Sequence, residues 1–142
     1  MSQSAKGFSL LELLIVVAII LIIATIAIPN LLTSMKASKE TAAVSSLKAI
    51  NAAQILYASS SGGNFGAIAQ LVGAKALDSR FDGTMNGYNF TIATGGGDYT
   101  AEASPASPSS GRYAYYTNAD GVIRYSTVAE LAPEGQAGKP VR

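Results

Sequence analysis

The sequence predicts an α+β protein: a long hydrophobic N-terminal α-helix that continues into an amphipathic helix packed on a small antiparallel β-sheet. Three observations predict it. An apolar run extends from Phe8 to Ile28, apolar residues then recur at steps of mostly three and four as far as Tyr57, and beyond Gly63 the periodicity moves towards two while glycine, serine and tyrosine rise. The 142 residues allow one domain at most. With 49% hydrophobic and 13% charged residues and a mean hydropathy of +0.28, so short a chain cannot hide all of its apolar surface in its own interior. Part of that surface must meet lipid or other protein.

Residues 1–7, MSQSAKG, read as a polar leader whose one positive charge, Lys6, favours the cytoplasmic side of a membrane. Residues 8–29 follow as a membrane-length helix: FSLLELLIVVAIILIIATIAI is about 21 residues long, close to the roughly 20 that cross a bilayer core. Its polar members are Ser9, Glu12 and Thr25. Pro29 removes a helical hydrogen bond and crowds the preceding turn, so a kink is expected there. Residues 30–62 form the amphipathic half, in which Leu31, Leu32, Met35, Val44, Leu47, Ile50, Ala53 and Tyr57 share a face. Lys36, Lys39, Glu40 and Lys48 supply polar positions between them, and Ser59 to Gly63 stop the helix.

Residues 63–142 read as a β-sheet head with a C-terminal tail. A short helical turn is expected within Asn64 to Ala76 and a loop from Asp78 to Gly87. Tyr88, Phe90 and Ile92 alternate with polar residues as a first strand, Gly95-Gly96-Gly97 ends it, and a second strand runs around Tyr99 to Ala103. Strands near Arg112 to Thr117 and Val122 to Ser126 flank the turn Asn118-Ala119-Asp120-Gly121. The segment SPASPSSG from Ser104 to Gly111 is a surface loop by composition, and Pro133 to Arg142 a loose tail.

The absence of histidine and cysteine removes imidazole bases, thiolate nucleophiles, zinc sites of the Cys/His kind and disulfides, and no cofactor or metal is expected. A net charge of +1 without a basic block lacks the footprint of a nucleic-acid binder. Carboxylate chemistry remains open as a remote alternative, a membrane-anchored enzyme, with Asp78 and Asp82 the closest pair. Ser45 and Lys48 match S-x-x-K without its companion motifs, and Gly135 to Pro140 lacks the spacing of a P-loop. Asn118 and Asp120 fit a turn better than a calcium loop, Asn89-Phe90-Thr91 reads as strand, and the tyrosines at 88, 99, 113, 115, 116 and 125 as a small sheet core with rings on its rim.

Glu12 carries the strongest functional signal. A carboxylate inside a lipid-length apolar run costs several kcal/mol unless paired, about 2.5 to 3.5 on insertion scales. No Lys or Arg lies within the run. The nearest candidate partner is a main-chain amine at Phe8, which exists only if the chain is cut between Gly7 and Phe8. Residues four apart share a helix face, so amine and carboxylate can pair within a chain or between neighbours. Gly7 offers no side chain to obstruct a protease cleft.

The segment KGFSLLELLIVVAIILIIATIAIPN resembles the N-terminal signature of the type IV pilins and the related pseudopilins, and most resembles a major pilin. The resemblance covers about residues 6–30 and rests on the basic leader ending in Gly7, on Phe8 and Glu12, on the unbroken apolar helix and on Pro29. It implies the pilin fold, cleavage after Gly7 by a membrane prepilin peptidase, methylation of the Phe8 amine, and pairing of Glu12 with the Phe8 amine of a neighbouring subunit. It further implies storage as a single-pass protein in inner-membrane lipid, then assembly into a helical homo-oligomeric filament at the cell surface, served by cytoplasmic ATPases and a platform protein. Such filaments act in motility, adhesion or DNA uptake. The alternative it leaves is a pseudopilin of a type II secretion system, forming a periplasmic pseudopilus.

A secretory signal peptide also begins with a basic residue and an apolar core, but Glu12 within the core and the length of the run argue against it. A plain anchor accounts for the length and not for Gly7, Phe8 and Glu12 together. Two departures from the family stand out. Without cysteine, the C-terminal hairpin and tail must be held by packing or by neighbours, and without a glycine between Phe8 and Ile28 (Leu21 stands where many pilins carry one) any local unwinding rests on Pro29.

Overall fold

The structure, a computed structural model, describes residues 2, 4–126 and 138–141. It divides into two compact units, residues 1–35 and residues 36–142. One helix, α1 (Leu10–Ser60), supplies regular structure to both and contains Pro29.

In the first unit α1 has no polar stripe, and its side chains are exposed almost all round. Leu13 keeps 62% of its surface exposed and Ile20 57%. A helix that is apolar on every face suits lipid or a bundle of like helices. Its two threonine hydroxyls are satisfied locally: Thr25 Oγ1 donates to the Ile22 carbonyl at 2.6 Å and Thr33 Oγ1 to the Pro29 carbonyl at 3.1 Å. Leu31, Leu32 and Met35, which the spacing assigns to the buried face, are exposed. The spacing repeats from Leu31 onward, but the sheet that buries such a stripe belongs with the second unit.

In the second unit α1 buries Glu40, Ala43, Ser46, Leu47, Ile50, Ala53 and Gln54, one face at steps of mostly three and four. The helix ends as a Schellman motif, with Gly62 at φ +71° and the Gly63 N–H donating to the Ala58 carbonyl at 2.8 Å. A short helix, α2 (Ile68–Gly73), follows, then a 3-10 turn at Ser79–Asp82. Six strands form a sheet in which each pairs antiparallel with the next: β1 (Thr84–Met85), β2 (Tyr88–Gly95), β3 (Asp98–Pro105), β4 (Ala114–Asn118), β5 (Arg124–Ser126) and β6 (Lys139–Pro140). The core joins Leu47 and Ile50 of α1, Leu71 of α2, Phe81, and Tyr88, Phe90, Tyr99, Ala101, Ala103 and Tyr115 of the sheet.

The predicted strands therefore stand, with three corrections. Asp78 to Gly87 is not a plain loop: it holds the 3-10 turn and β1, and Asn86-Gly87, with φ of +52° and +78°, closes a two-residue hairpin onto β2. The expected loose tail is in part a strand, since Lys139 and Pro140 pair with Tyr125 and Arg124. Pro133 to Ala137, which include half of the Gly135-to-Pro140 segment, and Arg142 lie outside the described residues. Finally, Glu40 is not a solvated position of α1. Its carboxylate is buried and accepts from the Arg112 N–H at 2.7 Å, Arg112 Nε at 3.1 Å and Arg112 Nη2 at 2.9 Å. Burial acts to raise this carboxyl, but the Arg112 bonds and charge outweigh it and hold it below the usual range.

Polar side chains of α1 fix the head around it. Gln54, fully buried, donates to the Gly66 carbonyl at 2.7 Å and accepts from the Gly66 N–H at 2.9 Å. Asn51 accepts from Tyr99 Oη at 2.7 Å and donates to Thr117 Oγ1 at 3.1 Å. Each satisfies a polar group whose burial alone would cost about 1 to 3 kcal/mol.

Candidate functional site at the N-terminus

Residues 4–9 carry no regular secondary structure, so the Gly7–Phe8 bond lies ahead of the first helical residue, Leu10. Nothing comes within 4 Å of the space a Gly7 side chain would take, and Phe8 is 93% exposed. The bond is open to approach, which an enzyme that reads an extended backbone requires.

Ser9 and Glu12 form a reciprocal pair at the helix start. The Ser9 N–H donates to Glu12 Oε2 at 2.8 Å, and the Glu12 N–H donates to Ser9 Oγ at 3.1 Å. This is a capping box, which satisfies two backbone donors that a helix start otherwise leaves open. The expected partner of Glu12 was the Phe8 nitrogen. In the uncut chain the carboxylate is held instead by the N–H of the next residue, and Oε1 makes no hydrogen bond among the described residues. Ser9 is the site residue that sequence reasoning missed, although Ser9-Leu10-Leu11-Glu12 spells the S-x-x-E signature. Pro29 sits inside α1, which continues through it.

The other candidates take structural places. Ser45 and Lys48 are exposed on α1. Asp78 caps the 3-10 turn, accepting from the Arg80 N–H at 2.9 Å, a bond that lowers its pKa. Asp120 accepts from Arg124 Nη2 at 2.7 Å and from the Val122 N–H at 2.8 Å, and the Arg124 bond lowers its pKa. Asn89 accepts from Thr84 Oγ1 across the β1–β2 pair at 2.6 Å. Tyr88, Tyr99, Tyr115 and Tyr116 are buried, with burial pushing Tyr99 and Tyr115 up to about 12, while Tyr113 and Tyr125 are half-buried at the rim. Tyr113, Tyr115 and Tyr125 line a groove of about 480 Å³ with Lys139, Pro140 and Val141. Among the described residues no group of three or more Asp or Glu side chains is placed to hold a metal ion.

Comparison with known proteins bears on the same segment. The family model of the prokaryotic N-terminal methylation motif matches residues 2–28. The type IV wide pilus major component PilA4 of Thermus thermophilus is 56% identical over 39 residues, 28% of this chain and 30% of that protein. The type IV major pilin protein PilA of Myxococcus xanthus is 53% identical over 49 residues, 34% of this chain and 22% of that protein. The matches thus span less than a third of the length of these curated relatives. No solved structure matches the chain. The chain thus carries the prokaryotic N-terminal methylation motif over residues 2–28 and is similar over part of its length to two type IV major pilins, beside a lipid-length apolar helix and an α+β head of antiparallel strands.

Proposed function

We propose that this protein is the structural subunit of a type IV pilus filament, with no enzymatic activity of its own. The observation that carries the reading is the conjunction, within residues 7–28, of an open Gly7–Phe8 bond, a carboxylate at Glu12 and a helix apolar on every face. A prepilin peptidase cuts after Gly7 and the Phe8 amine is methylated. The helix waits in the inner membrane, then exchanges lipid for identical helices, which changes its apolar surroundings little. Cutting places a cationic amine one residue before the N–H that already holds Glu12. The Glu12 carboxylate keeps its Ser9 bond through Oε2 and offers Oε1 to the amine of an adjoining subunit. Repetition of that head-to-tail contact with non-closing symmetry yields a fibre.

Recovery of the chain as the main protein of sheared surface filaments, and loss of those filaments on its deletion, is the expected result. Intact filaments combined with lost protein secretion after deletion would instead place the chain among the pseudopilins of a type II system.

A further inference from the structure

The two edges of the sheet are finished differently. At one, β6 is two residues long and consists of Lys139 and Pro140. Its shortness, its cation and a residue that cannot donate all discourage a further strand. At the other edge β1 is as short, and its pairing covers only Tyr88 and Asn89 of the eight-residue β2. β2 runs on past that cover to Gly95. Thr91 to Gly95 hold no charge and no proline, and β2 pairs with β3 residue for residue, without a bulge to twist it away.

The register says which backbone groups are free. Gly95 and Asp98 flank the Gly96-Gly97 turn as a hydrogen-bonded pair, and in an antiparallel ladder such pairs alternate with open ones. Thr91 and Ala93 therefore turn their N–H and C=O towards β3, while Ile92 and Thr94 turn theirs away from it. Met85 and Tyr88, which flank the Asn86-Gly87 turn, fix the same alternation from the β1 side. Among the described residues no backbone bond from outside the sheet reaches Ile92 or Thr94. Thr91, Ala93, Thr94 and Gly95 are exposed, and nothing comes within 4 Å of the space a Gly95 side chain would take. Two donors and two acceptors thus stand along one line, a pattern that an extended polypeptide backbone answers in full.

The same edge of a second copy fits that line. Antiparallel pairing with Ala93 opposite Ala93 sets Ile92 of each chain opposite Thr94 of the other, so every outward group is answered and four hydrogen bonds cross the contact. The alternate pairs, Ala93 with Ala93 and Thr91 with Gly95, bring small side chains together where the ladder is narrowest. No like charges meet, since residues 91–95 carry none. Thr91, Ile92 and Thr94 are β-branched, which suits a pleated neighbour.

We propose that the free edge of β2 docks antiparallel on the same edge of a second copy of this chain, related by a two-fold axis at Ala93, and joins two sheets into one. Such an isologous contact closes on two copies and does not by itself extend a fibre. It pairs heads, and so differs in kind from the head-to-tail contact proposed for the N-terminal segment.

The test uses the full chain in neutral detergent, where the absence of cysteine makes one introduced thiol a clean probe. Facing residues of an open pair stand about 4.5 Å apart at Cα, within reach of a disulfide. Ala93→Cys, oxidised with copper phenanthroline, is expected to give a disulfide-linked dimer on a non-reducing gel. Ser109→Cys, exposed in the loop after β3, is not. Adding Thr94→Pro to Ala93→Cys removes one outward donor from each copy and none from the β2–β3 ladder. The concentration at which half the chain cross-links should rise roughly thirty-fold, with tyrosine circular dichroism as in the parent. Thr94→Lys, which keeps the N–H and sets a cation on the edge, should shift it in the same direction. Cross-linking of Ala93→Cys no better than that of Ser109→Cys, or undiminished by both edge variants, overturns the proposal. Slow hydrogen exchange of the Ile92 and Thr94 amides that survives dilution to the monomer would assign the edge to a segment of the same chain and overturn it too. The assay does not read the N-terminus, so leader cleavage and filament assembly stand or fall separately.

Discussion

Residues 10–35 and residues 36–60 lie in the same helix and are treated in opposite ways. Before Met35 no large apolar side chain is buried, whereas after it Leu47 and Ile50 are fully enclosed and even Glu40 and Gln54 are withdrawn from water. The first segment is the more apolar of the two. Apolar composition therefore does not make a core: a core needs a facing surface, which the sheet supplies to the second segment and which, on the proposed function, lipid or other subunits supply to the first. The head follows the rules of a water-soluble domain, with its buried polar groups tied by Asn51, Gln54 and Arg112. The N-terminal segment buries no large apolar side chain of its own, which suits the proposed subunit that exchanges lipid for like helices.

Substitutions at matched places break this comparison. The largest effect is expected from Glu12→Val, which, on the proposed pairing of Glu12 between subunits, should leave membrane insertion intact and abolish or sharply reduce incorporation into filaments. Normal filaments from that variant, counted by electron microscopy, would refute the role given to Glu12. Leu47→Ala should cost the head about 3 kcal/mol, while Ile20→Ala, an equally drastic truncation in the exposed segment, should leave head unfolding unchanged. The seven tyrosines all lie at or beyond Tyr57, so tyrosine circular dichroism of the full chain reports the head alone. Equal shifts in the two variants would mean that the two segments unfold as one body.

Smaller effects sharpen the boundary. Glu40→Ala leaves Arg112 without its partner and should cost about 2 kcal/mol in thermal or denaturant unfolding. The sign of the pH dependence follows from the same pair. Glu40 and Asp120 are held below their unfolded values, so their contribution is complete above about pH 4.5 and fades as pH falls through the folded values. Tyr99 and Tyr115, pushed up to about 12 by burial, lose stability for the head as pH rises from about 10 towards 12. Titration of the unfolding midpoint should give a plateau between these limits, and Glu40→Ala should flatten its acid side. The least effect is expected from Ser9→Ala, which loosens the first turn of α1 in hydrogen exchange and leaves the head untouched.

Local patterns carried most of the fold. The apolar run, the helix periodicity beyond Val44 and the glycine-bounded strands each report on neighbours in sequence, and the helix and four of the six strands match or lie close to them. Two local signals went unread: S-x-x-E at Ser9 to Glu12, overshadowed by the pairing role of Glu12, and Asn86-Gly87, a two-residue hairpin inside a segment taken as loop. What no local pattern could supply is partnership at distance. Glu40 and Arg112 stand 72 residues apart, and Asn51 and Tyr99 48, so nothing near Glu40 distinguishes it from the exposed Lys48 on the same helix. Likewise the stripe of Leu31, Leu32 and Met35 continues the periodicity of Leu47 and Ile50, yet the first three are exposed and the last two buried.

The central claim is that the apolar segment is cut free of its leader so that it can pass from lipid into a filament. Mass spectrometry of the N-terminal peptide, taken from protein sheared off the cell surface, measures this directly. The account predicts a chain that starts at Phe8 with a methyl group on its amine. A chain that retains residues 1–7, or one cut near Ala27 as a secretory signal would be, contradicts it.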